Sequence, residues 1–219
     1  MHRCGLFCLS VVLVSQSARG DLYGFYGITN NNPIHVAVGE AQMRVNVTAS
    51  STDQVSFRFY NLGPARSSLT DIYFDDAGGA LLDLVHIANT PGVSFSEGAS
   101  PPQLPGGHNL SPEFFANFDA DSNDPAAANG INPGESLRIM FTLADGFSFQ
   151  DILDGLADAS LRIGIQARNI LGPGNRESFV NRTTVVPVPG AFVLGAFGLG
   201  LVGWARRRAT TKQRGNGAR

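Results

Sequence analysis

The feature that most restricts this fold is a set of short runs in which apolar and polar side chains alternate with period two, separated by glycine, proline and asparagine. Met43, Val45 and Val47 alternate with Arg44, Asn46 and Thr48, and Val55, Phe57 and Phe59 alternate with Ser56, Arg58 and Tyr60. Successive side chains of a strand point to opposite faces, so each run offers one apolar face to a core and one polar face outward. Residues 70–74, 81–87, 114–118, 137–143, 161–167 and 177–181 are further runs of strand length. Together they predict a mainly β domain over residues 21–184, a jelly-roll-like β-sandwich. One run has a different period: Phe149, Ile152, Leu153 and Leu156 recur at helical spacing, with Asp151, Asp154 and Asp158 on the opposite side. A short helix over residues 148–159 is therefore expected, crossing between two late strands. Pro101, Pro102, Pro105, Gly106 and Gly107 make residues 96–111 a long irregular loop. No repeat of twenty to fifty residues is visible, which argues against a propeller or solenoid.

The charge is unevenly placed. All 18 acidic residues lie between Asp21 and Glu177, whereas half of the 16 basic residues lie outside residues 21–189, leaving that segment eight basic side chains and a net charge of −10. An acidic body repels phosphate backbones, so nucleic acid is not an expected partner. The two cysteines, Cys4 and Cys8, fall in the first apolar stretch. Removal of that stretch leaves a domain without disulfides, thiolate metal sites or cysteine nucleophiles, and a domain of this size can fold on its core alone.

Both ends carry targeting features. Residues 1–20 combine Arg3, an apolar run over residues 6–14 and the small-residue pattern Ala18-Arg19-Gly20. This is the pattern of a secretory signal peptide, cleaved after Gly20. The apolar run is too short to span a bilayer, which takes about 20 residues. At the other end no charged residue interrupts residues 185–205, and Arg206, Arg207 and Arg208 follow directly. Pro187 and Pro189 discourage helix before them, so a transmembrane helix is expected over residues 190–205, with Trp204 at interface depth. The arginine cluster acts as a stop-transfer signal and orients residues 209–219 as a basic cytoplasmic tail, with the acidic domain on the other side.

The order Val186-Pro187-Val188-Pro189-Gly190, an apolar glycine- and leucine-rich helix, and Arg206-Arg207-Arg208 resembles the PEP-CTERM sorting domain of Gram-negative bacteria over residues 185–208. Val188 stands where that family carries its glutamate, making this a variant motif. The resemblance implies export, a precursor held in the inner membrane with its domain in the periplasm, and processing at the proline motif by a membrane enzyme of the exosortase type. The product is then expected at the cell surface or outside the cell. The Leu-Pro-x-Thr-Gly motif of a sortase tail is absent.

In the middle of the chain, Asp119, Asp121 and Asn123 place oxygen-bearing side chains at alternating positions, the spacing with which a calcium loop begins. The sixth position is Asp124 in place of glycine and the twelfth is Gly130 in place of glutamate; Glu135, Asp75 and Asp76 are the nearest candidates to complete another geometry. His35, His86 and His108 form no ligand pair with zinc spacing, and no nucleophile motif accompanies them. Tyr23, Phe25 and Tyr26 read as core residues of a first strand before they read as a sugar-stacking platform. Apart from calcium at the Asp119 run, no cofactor is expected. The functional expectation is an exported, non-enzymatic surface or matrix-associated protein that associates with extracellular polysaccharide. The alternative is a secreted glycan-active enzyme or a calcium-dependent carbohydrate-binding module with the same tail.

Overall fold

The computed structural model of the protein describes residues 20–185. The chain divides into two units, Met1–Thr184 and Val185–Arg219, and the described residues belong to the first except for Val185. The architecture is mainly β. Among the described residues, ten strands form a single sheet: β1 (Gly20–Gly27), β2 (Met43–Ala49), β3 (Gln54–Asn61), β4 (Ser68–Asp76), β5 (Leu81–Ala88), β6 (Phe95–Glu97), β7 (Phe118–Ser122), β8 (Ser136–Leu143), β9 (Leu161–Arg168) and β10 (Arg176–Val185). Their order across the sheet is β5-β8-β3-β2-β1-β10-β9-β4-β7-β6. The pairs β1–β2, β2–β3, β3–β8, β5–β8, β4–β9, β4–β7, β6–β7 and β9–β10 are antiparallel.

The sheet curls over and nearly closes. Its two edge strands meet through Asn89, just past β5, whose side chain accepts from the Phe95 amide at 2.8 Å and donates to the Phe95 carbonyl at 3.2 Å. That amide imitates one rung of a strand ladder and covers an edge that would otherwise be open for pairing. The core lies inside the curl. Phe74 of β4 meets Phe141 of β8 and Phe57 of β3 edge-on, at ring separations of 4.8 and 5.0 Å, although these strands are far apart in the sheet order. Such edge-to-face pairs add to the area they bury. Tyr23, Phe25, Val45, Val47, Val55 and Phe59 complete one side of the cluster and Ile72, Ile163, Ile165 and Phe179 the other. The aromatic residues Tyr23 and Phe25 are thus core, as expected, whereas Tyr26 is partly buried against a second, smaller cluster.

Three helices join the strands among the described residues: α1 (Pro33–Gln42), α2 (Ala126–Asn129) and α3 (Phe149–Asp158), with a 3-10 turn at Gly107–Asn109. The expected crossover is α3, which buries Ile152 and Leu156 and links β8 to β9. Ser148 and Asp151 cap each other's backbone amides at its start, satisfying donors that a helix N-terminus leaves orphaned. The helix α1 was not legible in the sequence. It starts with Asn32, whose side chain accepts from the Ile34 amide, followed by Pro33 in the first turn. Gly39 lets it sit on the core: a Cβ there would lie 2.1 Å from the Phe179 ring.

The expected strand over residues 114–118 is corrected. Only Phe118 begins a strand, while Phe114 is buried in a second small cluster with Tyr73, Leu104 and Val180. This cluster lies on the outer face of the sheet, under the proline- and glycine-rich segment between β6 and β7. Gly164 of β9 makes the room, because a Cβ would stand 2.7 Å from Leu104 and 3.0 Å from Phe114. Arg162 fixes the segment by donating to the carbonyls of Pro112 and Glu113 and pairing with Asp75, and Tyr73 donates its hydroxyl to Pro101 at 3.0 Å. Every residue of β4 is consequently buried, with Ile72 and Phe74 facing the main core and Tyr73 the outer cluster.

Candidate functional site

The same folded-over segment creates a cleft. Ladder register brings Arg168 opposite Arg176, and Gln166 opposite both Ser178 of β10 and Asp71 of β4. These positions share the outer face of the sheet, because they lie two apart along each strand. Pro101 and Pro105 roof them on one side and Thr29 and Asn31 close the other, enclosing about 400 Å³. A second hollow of about 370 Å³, lined by Asn32, His35, Gly174 and Asn175, shares Asn31 and Arg176 with the first. The two hollows therefore adjoin at Asn31 and Arg176.

The charges along them are set by specific partners. Glu177 is buried, and its carboxylate accepts from the Thr29 hydroxyl at 2.6 Å and from the amides of Asn31 and Asn32 at 3.0 and 2.7 Å. Three donors on one carboxylate tie the β1–α1 connection to β10. Arg168 donates to both oxygens of Asp71, at 3.2 and 3.3 Å, and from Nε to Gln166. Asp71 is wholly buried. Burial pushes its carboxyl up to about 6, outweighing the hydrogen bond from Thr70 and the nearby Arg168 charge, and Asp121 opposite it adds to the rise. Tyr73 is pushed up in the same way, first by burial and then by the charges of Asp71, Asp121 and Asp119. Arg176 is exposed and makes no ion pair among the described residues. Ser178 is 1% exposed, and its hydroxyl oxygen has no hydrogen-bond partner among the described residues.

The residues singled out in the sequence fall elsewhere. Asp119 and Asp121 lie on β7, not in a loop, so the two carboxylates project from one face of an extended strand. Asp119 is held above its ordinary value by burial first and by Glu97 and Asp121 next. Asn123 lies past the strand end, accepting from the Ser96 hydroxyl and donating to Ser94. Asp75 is paired with Arg162, Asp76 accepts from the Leu81 amide, and Glu135 accepts from the Asn132 amide. Among the described residues, no three His, Cys, Asp or Glu side chains are gathered as a metal site. His35, His86 and His108 sit on α1, β5 and the 3-10 turn. Gly20 opens β1 opposite Thr48, while Ala18, the Val186–Gly190 motif and Arg206–Arg208 lie outside the described residues. Among the described residues no helix is long and apolar enough to cross a membrane, and the span expected over residues 190–205 lies outside them.

Sequence reasoning passed over Arg168, Gln166 and Arg176. Their signal was faint: Arg162, Gln166 and Arg168 keep polar parity along β9, where an outward face is ordinarily solvated. Comparison of the chain with known protein families, curated proteins and solved structures finds no match.

Proposed function

We propose that this chain is an exported, non-enzymatic surface or extracellular-matrix-associated protein, delivered by its first 20 residues and sorted through its C-terminal tail. The observation that carries the reading is the order of the tail: the proline motif Val186-Pro187-Val188-Pro189-Gly190, a charge-free stretch to Ala205, and Arg206-Arg207-Arg208. A stretch of that length next to three guanidinium groups is costly to bury in a soluble core and suited to a bilayer with the cluster on the cytoplasmic side. The precursor is held in the inner membrane with its acidic domain in the periplasm, an exosortase-like enzyme cuts at the proline motif, and the domain is released or attached outside, in association with extracellular polysaccharide. In this reading the domain is a flattened, jelly-roll-like sandwich. Its core needs no disulfide, in keeping with the absence of cysteine after Cys8. The test is the double variant Pro187→Ala, Pro189→Ala expressed in a host that carries the processing enzyme. Membrane fractions are expected to accumulate full-length chain; cleavage and release equal to the parent would reject the role of the motif.

A further inference from the structure

The groove beside the proline-rich segment has three properties that a solvated surface does not require. First, Arg168 and Arg176 are direct cross-strand partners on one face. Like charges directly opposite destabilise a sheet pair, and Asp71 answers only Arg168. Second, the hydroxyl of Ser178, on a residue that lines the cleft, is buried with no partner. A buried hydroxyl left unpaired costs free energy that a ligand's hydrogen bond recovers. Third, the walls combine guanidinium, amide and hydroxyl groups with the apolar rings of Pro101 and Pro105, and the carboxylate among them, Glu177, is already taken up by Thr29 and the amides of Asn31 and Asn32.

From these we propose that the groove binds an acidic saccharide, a sugar chain whose residues carry a carboxylate. The carboxylate lies between Arg176 and Arg168, where a planar fork matches its two oxygens. Ring hydroxyls take up the Ser178 hydroxyl and the amides of Gln166 and Asn31, and the apolar faces of the sugar rest on Pro101 and Pro105. The volume, about 400 Å³, lies in the range of small-molecule sites. The adjoining hollow past Arg176, lined by Asn32, His35 and Asn175, lets a chain continue beyond the first sugar. A neutral glycan leaves the Arg176 charge unanswered, and a peptide carboxylate leaves the buried hydroxyl so.

A second pair of opposed arginines supplies an internal control. Arg58 and Arg138 face each other across β3 and β8, and both are exposed beside a shallow hollow. The hollow's residues include none with a buried, unpartnered side-chain atom, so this pair is not part of a built site.

The proposal rests on the polysaccharide association in the reading above. Its test does not depend on export or sorting, so the two can fail separately. The full-length chain, purified in detergent, is titrated by calorimetry with a uronic acid trimer, a neutral hexose trimer and acetate. The uronic acid trimer is expected to bind, and the other two to bind at least about tenfold more weakly. Arg176→Ala, at an exposed position where the fold does not need the side chain, is expected to weaken the uronate at least about tenfold, and Arg138→Ala to leave it unchanged. Equal affinity for the neutral trimer or acetate, equal losses in both arginine variants, or no heat of binding for the uronate in a chain with an intact circular dichroism spectrum would each overturn the assignment.

Discussion

Asp71 offers a sharp test of how deeply a charge is buried on the outer face of β4. Its carboxyl is wholly buried beside Thr70 and Arg168 and is pushed from an ordinary value of 3.8 up to about 6. A carboxyl with a raised value in the folded protein binds its proton there at a pH where the unfolded chain has lost it. Between pH 4 and pH 6 the native state therefore holds more protons, and stability falls as pH rises. The window spans about two pH units, and at 1.36 kcal/mol per unit this group alone removes about 3 kcal/mol between pH 3.8 and pH 7. Asp71→Asn keeps a polar side chain of the same shape beside Thr70 but cannot titrate. Urea unfolding at a series of pH values is to be run on both proteins, and the unfolding free energy of the parent minus that of the variant plotted against pH. The difference is expected to decline by about 3 kcal/mol from pH 4 to pH 7, most steeply between pH 4 and 6. Parallel profiles would mean that Asp71 is solvated or that Arg168 holds it ionised throughout. A difference that rises with pH would mean that the ion pair outweighs burial.

Two other substitutions probe the core. Phe74→Ala removes the ring that joins β4 to β3 and β8 across the curled sheet, and is expected to lower the unfolding free energy by about 4 kcal/mol, read as a lower urea midpoint at unchanged slope. A loss under about 1 kcal/mol would show that the two halves of the sheet do not face each other there. Gly39→Ala is favoured by helix propensity by about 1 kcal/mol, yet the new methyl overlaps the Phe179 ring. A net loss of about 2 kcal/mol is expected by thermal unfolding, and a raised melting temperature would refute the contact between α1 and β10.

The legible parts of the fold were those where one strand face is solvated. In β2 and β3 the alternation of Val45, Val47, Phe57 and Phe59 with Arg44, Asn46, Arg58 and Tyr60 maps directly onto inside and outside. β4 has no solvated face: every residue is buried, and Tyr73, on the outward parity, packs with Leu104 and Phe114 of the segment after β6. A chain segment that folds back from a distant position leaves no periodic trace. Phe114 read as a strand residue for the same reason: it is apolar because it anchors that segment. The helix α1 was hidden because Ile34, Val36 and Val38 are spaced two apart, the period of a strand, and only Asn32-Pro33 marked its start. The edge strands are bridged by a side chain, Asn89, which leaves no periodic trace in the sequence. The groove was illegible because its arginines, eight residues apart, meet only through the β9–β10 hairpin register. The acidic run at Asp119 stood out in the sequence because alternation resembles ligand spacing, and alternation is also what β7 requires.

Mass spectrometry of the mature protein, recovered from a host with the processing machinery, reads the fate of the tail. The account predicts a chain that starts at Asp21 and ends within residues 187–190, with Arg206-Arg207-Arg208 gone. An extracellular chain still ending at Arg219 would contradict it.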